Sequence, residues 1–142
     1  MARVQEVVAD ASVACKWFLP EKGTLAALLL RDDHIEGRVR ILAPQLLCYE
    51  VANALRHYPA LSPEGIEQSI RYLYDLQLSL VHPTHRDLSS AAAFARRRRV
   101  SVYDACYATL AEKRSCPLIT DDTLLLESSR RAVPLSEWTA RR

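Results

Sequence analysis

The sequence predicts an α/β fold, a parallel sheet with helices on both faces. Three observations predict it. Short apolar runs alternate with longer stretches of helical periodicity, in the order β-α-α-β-α-α-β-α-α-β-α-β. Residues 102–125 read as a helix followed by a buried strand that ends on an acidic pair. The chain has 142 residues, 49% of them hydrophobic, which suits one domain over residues 1–142 with a sizeable core.

Residues 4–9 are an apolar run that predicts the first strand, ending at Asp10. Ser12 follows as an N-cap for a short helix over 13–18, which Leu19 and Pro20 break. Residues 24–35 predict a second helix, ended by Gly37. Residues 39–43 predict the second strand, stopped by Pro44. In the helix predicted over 45–57, Leu46, Leu47, Val51, Ala54 and Leu55 form the apolar side, and Glu50 lies on that side. A carboxylate facing inward is costly unless it is paired or bound to a metal. Ser62-Pro63-Glu64 is a helix start with proline at the first position, and that helix is expected to run to Leu78. Residues 79–82 predict a third strand. Residues 86–99 predict an alanine-rich helix that ends in Arg96, Arg97, Arg98 and Arg99. In the helix that begins at Val102, Ala105, Tyr107, Ala108 and Ala111 form the apolar stripe, and Asp104 faces the positive end of the helix dipole. Residues 117–120 predict a strand, 122–131 the last helix, 133–135 an edge strand that tolerates Pro134, and 136–142 a tail.

Composition excludes several functions. The net charge of +2 gives no cationic coat, but the charge is unevenly placed. Residues 1–85 carry 8 Lys and Arg against 10 Asp and Glu, and residues 86–142 carry 11 against 7. The second half can therefore meet a polyanion while the acids make a local negative site. The three glycines, Gly23, Gly37 and Gly65, form no phosphate-cradling loop, which argues against a nucleotide-binding P-loop or a dinucleotide fingerprint. Cys15, Cys48, Cys106 and Cys116 make no C-x-x-C clip and read as reduced thiols of a cytosolic protein. Residues 1–6 lack an apolar signal core, and the strongly apolar stretch 25–30 is far too short for a bilayer, so no membrane is expected.

Clustered carboxylates remain. In open α/β sheets ligands bind beyond the carboxyl ends of the strands, where Asp10, Asp121 and Asp122 stand. Two unit charges about 4 Å apart repel by about 4 kcal/mol at an effective dielectric near 20. Several carboxylates in one pocket need a counter-ion, and Mg²⁺ or Mn²⁺ are the hard cations that take oxygen ligands. Such an ion can polarise a phosphoryl oxygen and make a hydroxide from bound water. Taken singly, Asp10 and Asp122 are ordinary helix caps and Asp104 an ordinary first-turn acid. The coincidence of four points to a site.

The motifs resemble those of PIN-domain ribonucleases, in particular the VapC-like toxins of type II toxin–antitoxin pairs. The stretch 8–21 resembles the family's opening motif through Asp10, with Ser12 beside it. Residues 47–55 resemble the second motif through Glu50, with Asn53 as its companion. Residues 101–111 match the third through Asp104. Residues 118–124 match the fourth, Thr-x-Asp, which assigns Asp122 as the acid and Thr120 as its neighbour, with Asp121 in the variable position. One departure is Arg99, where relatives often close the helix with glycine. The resemblance implies a three-layer α/β/α sandwich and an Mg²⁺- or Mn²⁺-dependent endoribonuclease. It further implies a homodimer and inhibition by a cognate antitoxin protein. On this reading Asp10, Glu50, Asp104 and Asp122 hold the metal, with Ser12, Thr120 and Asp121 ancillary. Arg96–Arg99 would hold RNA backbone, or would simply compensate the helix dipole. The alternatives are a non-catalytic PIN-fold protein-binding module and a metal-dependent nuclease acting on DNA.

Overall fold

The computed structural model describes residues 3–138. Its centre is strand β1 (Gln5–Ala9), whose consecutive Val7, Val8 and Ala9 are all fully buried. Consecutive burial means that both faces of the strand are covered, as in parallel α/β sheets. Strand β2 (Val39–Pro44) shows the same run from Ile41 to Pro44. Strands β3 (Ser79–Val81), β4 (Leu118–Thr120) and β5 (Ala132–Pro134) complete a five-stranded sheet, all neighbours parallel, in the order β3-β2-β1-β4-β5. The half-buried, three-residue β3 and β5 form the edges.

Seven α-helices cover the sheet among the described residues. They are α1 (Ala11–Ala14), α2 (Thr24–Ile35), α3 (Leu46–Arg56), α4 (Pro63–Asp75), α5 (His85–Arg98), α6 (Val102–Arg114) and α7 (Thr123–Ser128). Helix α6 packs on β1, β2 and β4 and carries α5 on its back. Its Ala105, Tyr107, Ala108 and Ala111 are buried, as the spacing predicts. The architecture is the expected three-layer α/β/α sandwich.

Several boundaries differ from expectation, each for a local reason. The cap of α1 is Asp10, not Ser12: Asp10 keeps an extended backbone and accepts from the Val13 amide, while Ser12 is already helical. Helix α4 stops at Asp75 because Gln77 takes a left-handed turn (φ 51°) that frees Ser79–Val81 to pair with β2. Helix α7 ends at Ser128, not Arg131, because Ser129 is extended. The chain is then free to lay Ala132–Pro134 beside Leu118–Thr120, and Leu135 begins a 3₁₀ turn instead of ending the strand. Pro44 is the last residue of β2, where expectation put it just past the end. Of the predicted tail, residues 139–142 lie outside the described residues.

The sheet order places the site. From β1 the chain winds outward through β2 and β3, then returns to β4 on the other side of β1. The carboxyl ends of β1 and β4 therefore lie side by side at the point where the winding reverses, where open α/β sheets bind their ligands. The Asp10 amide bonds the Ile119 carbonyl there (3.4 Å).

Candidate functional site

Asp10 leaves the end of β1 and is only 4% exposed. Three groups hold its carboxylate. The Ser12 hydroxyl donates to Oδ1 (2.6 Å), the Val13 amide to the same oxygen (3.3 Å), and the Thr120 hydroxyl to Oδ2 (2.5 Å). A carboxylate has about four lone-pair positions, so these donors leave room for one more partner at Oδ2. Thr120 in turn accepts from the Asp122 amide (2.9 Å), and Ser12 accepts from the Asp121 amide (3.0 Å). Two hydroxyls thus bolt the end of β1 to the end of β4.

The other acids come from three separate elements. Asp122 caps α7 by accepting from the Leu125 amide (3.0 Å). Asp104 lies in the first turn of α6, whose cap is Ser101. Glu50 projects from α3, and the buried Tyr107 of α6 donates its hydroxyl to Glu50 Oε1 (2.6 Å). Sequence reasoning placed Tyr107 in the core stripe and missed this hydrogen bond. The signal was its position one turn past Asp104 on the same helix face.

Burial and neighbouring charge act on three of these acids. Burial pushes Asp10 up to about 6, against the pull of its hydroxyl and amide donors, and the charge of Asp122 pushes it further. Burial also raises Glu50, opposed by the Tyr107 hydrogen bond and reinforced by Asp104 and Asp122. Asp104 is raised by burial and then by Asp122. Asp122 therefore acts on all three others. The fold has gathered like charges at the carboxyl ends of β1 and β4.

Asp121 faces another way. Its Oδ1 accepts from the Leu135 amide (3.1 Å), and its Oδ2 lies 3.8 Å from the Lys16 ammonium. Lys16 is a second residue that sequence reasoning passed over, a lysine only 8% exposed that also pairs with Glu21 (3.3 Å). An opening of about 720 Å³ is walled by Ser12, Lys16, Glu50, Asn53, Asp104 and Asp121 among others, whereas Asp10 and Asp122 do not line it. Arg96–Arg99 are exposed at the end of α5, and Arg99 closes that helix in the left-handed conformation (φ 57°). Arg97 and Arg98 line a second groove of about 1190 Å³, which shares Leu46 and Tyr103 with the acidic opening.

The donor set is all oxygen, which suits a hard dication and not a soft one. As the side chains stand, no three Asp, Glu, His or Cys among the described residues form a ready cage for one ion. Mg²⁺ keeps several of its waters and needs only one or two carboxylates, so the free acceptor position of Asp10 and the neighbouring acids are donors of the kind such an ion takes. His82 and His85 take no part: His82 meets Gln45 (3.0 Å) and His85 begins α5. Trp17 packs in the core with its indole N–H on the Ala27 carbonyl (2.9 Å), and Phe18 stacks edge-on between Trp17 and Tyr72. All four cysteines are free. No helix among the described residues is long and apolar enough to cross a membrane.

Comparison with known proteins agrees with this architecture. The profile of the PIN domain family matches residues 7–128. Ribonuclease VapC3 of Pyrobaculum aerophilum is 30% identical over 126 residues, which cover 86% of this chain and 93% of the relative. Among solved structures, PAE2754 from Pyrobaculum aerophilum superposes with a TM-score of 0.68 at 25% identity, over 96% of this chain and 93% of that one. VapC20 of Mycobacterium tuberculosis, described as a sarcin–ricin loop cleaving toxin, superposes at 0.66 with 11% identity, over 85% and 94%. VapBC2 of Rickettsia felis, solved with a DNA fragment from its promoter, superposes at 0.63 with 9% identity, over 92% and 97%. The last two likenesses concern fold alone. With a family profile spanning most of its length and a near-full-length VapC relative, this chain belongs to the PIN domain family.

Proposed function

We propose that this protein is a divalent-metal-dependent endoribonuclease and the toxin of a toxin–antitoxin pair. The observation that carries the reading is that Asp10, Glu50 and Asp104, from three separate elements, are each raised by burial and then by the charge of Asp122, Glu50 also by that of Asp104. A purely structural scaffold gains nothing from that repulsion. Asp10, Glu50, Asp104 and Asp122 would hold Mg²⁺ or Mn²⁺, directly or through water. Such an ion, when bound, supplies charge stabilisation at a phosphoryl oxygen and a more acidic water.

The chain's own residues do the rest. Ser12 and Thr120 orient the Asp10 carboxylate and leave one acceptor position free at Oδ2. Tyr107 holds Glu50 in place and helps to keep it ionised. Lys16 draws Asp121 to the rim, so Asp121 serves as an anchor for the turn at Leu135 and not as a ligand. The arginines of α5 offer phosphate contacts along the neighbouring groove. The relative named as a ribonuclease supports RNA as the substrate. An antitoxin protein is the partner that the likeness to a VapC ribonuclease supports. The resemblance carries a second copy of the chain as a further partner, and Leu25 and Leu29 of α2, 74% and 52% exposed, are apolar surface available to either partner. The cytoplasm is the compartment this reading requires.

The test is cleavage of end-labelled RNA, and of DNA of the same sequence, with Mg²⁺, with Mn²⁺ and with chelator. RNA cleavage is expected with either ion, none with chelator, and none from Asp104→Asn. Metal-independent cleavage, or cleavage by Asp104→Asn at the wild-type rate, would overturn the reading. Cleavage of DNA alone would move the substrate.

A further inference from the structure

Two tyrosines stand at the mouth of the acidic opening. Tyr49 of α3 immediately precedes Glu50, and Tyr103 of α6 immediately precedes Asp104. One residue along a helix turns the side chain by about 100°. Where the acid points toward the site, the preceding tyrosine is carried to its rim. Tyr49 is 78% exposed and Tyr103 64% exposed, and both line the opening with Glu50 and Asp104. A single exposed aromatic needs no explanation. Here two helices distant in sequence each bring one to the same mouth.

What lies beyond the mouth limits the occupant. Tyr103 and Leu46 also line the larger groove, which continues to Arg97 and Arg98 at the basic end of α5. The arginines are exposed and suit a chain of phosphates. The acids repel phosphate, whereas a base offers a neutral π-face to a tyrosine ring. A strand lying from the acidic opening to the arginines would pass its bases over Tyr103. A duplex keeps its bases stacked inside and presents none to these rings.

We infer that Tyr49 and Tyr103, at the mouth of the acidic opening, form a base-stacking subsite for unpaired nucleotides, continued by a phosphate track at Arg97 and Arg98. The inference deepens the nuclease reading and rests on it. It adds the residues that grip the substrate and the requirement that the gripped nucleotides be unpaired.

The test uses a short single-stranded RNA carrying 2-aminopurine, whose fluorescence falls when the base stacks. The full chain is titrated with it at low salt, in chelator so that nothing is cleaved. The wild type is expected to bind and quench. Tyr49→Ala and Tyr103→Ala should each bind roughly ten- to a hundredfold more weakly with less quenching. Tyr103→Trp, which keeps a ring, should restore both. The same sequence as a duplex should bind without quenching. Wild-type binding without quenching, alanine variants equal to wild type, or a tryptophan variant as weak as alanine would each overturn the inference. So would alanine variants that bind RNA normally but lose self-association in sedimentation, which would assign the rings to a protein interface. Lost cleavage in Asp104→Asn without a stacking signal would defeat this inference alone. Stacking by a wild type that cleaves nothing would defeat the nuclease reading alone.

Discussion

Asp10 is the residue on which the local chemistry turns. It is a buried carboxylate whose proton affinity is raised to about 6, where an unfolded aspartate titrates near ~3.9. Between those two values the folded chain holds a proton that the unfolded chain has released. Stability must then fall as pH rises through that window, and by neutral pH the deficit is about 3 kcal/mol. That is a large share of the net stability of a small domain, roughly 5–15 kcal/mol. Glu50 and Asp104, both raised, act in the same direction. Melting curves in chelator should therefore show the wild type losing several degrees between pH 5 and pH 7.5. Asp10→Asn should lose less and should melt above the wild type at pH 7.5. A variant that melts lower at both pH values would mean that the capping bond to Val13 outweighs the repulsion. Asp10, Asp104 and Asp122 were legible in the sequence because they follow apolar runs or open helices, and Glu50 because it lies on the apolar side of one. Lys16 was not, because a lysine in an apolar stretch differs from a surface lysine only in three dimensions, and Tyr107 carried only the weak signal of sharing a helix face with Asp104.

At the scale of the element, helix starts were easier to read than helix ends. Ser62 with Pro63 begins α4 as expected, and its hydroxyl accepts from the Gly65 amide (3.0 Å). Thr84 and Asp87 form a reciprocal cap at α5, a start that the sequence reading put one residue late. The ends of α4, α5 and α6 are closed by Gln77, Arg99 and Ser115 in the left-handed conformation (φ 51°, 57° and 52°). With no glycine to mark these ends the sequence gives no stop signal, and the expected end of α4 at Leu78 overshoots Asp75. A left-handed L-residue costs about 1–2 kcal/mol, part of which glycine returns as added freedom in the unfolded chain. Ser115→Gly should raise the melting temperature by a few degrees, and Arg99→Gly should do likewise. Thermal melts that show Ser115→Gly unchanged or less stable would mean that tertiary contacts, not local preference, set that turn.

Across the whole molecule, the order of strands along the chain was legible and the order in the sheet was not. Periodicity reports which residues are buried, not which strand lies beside which. Only the sheet order β3-β2-β1-β4-β5 puts Asp10 next to Thr120 and Asp122, and that adjacency is a property of the fold. The charge asymmetry follows the same plan. The acids collect where the winding reverses, and the arginines of α5 end beside the groove that leads there. The proposed function requires a dication among these acids. The direct measurement is calorimetric titration of Mn²⁺ into the wild type and into Asp104→Asn at neutral pH. The wild type should bind the ion with a saturable heat and Asp104→Asn should bind far more weakly. Equal, negligible heats from the two proteins would contradict the claim that these four carboxylates share a metal.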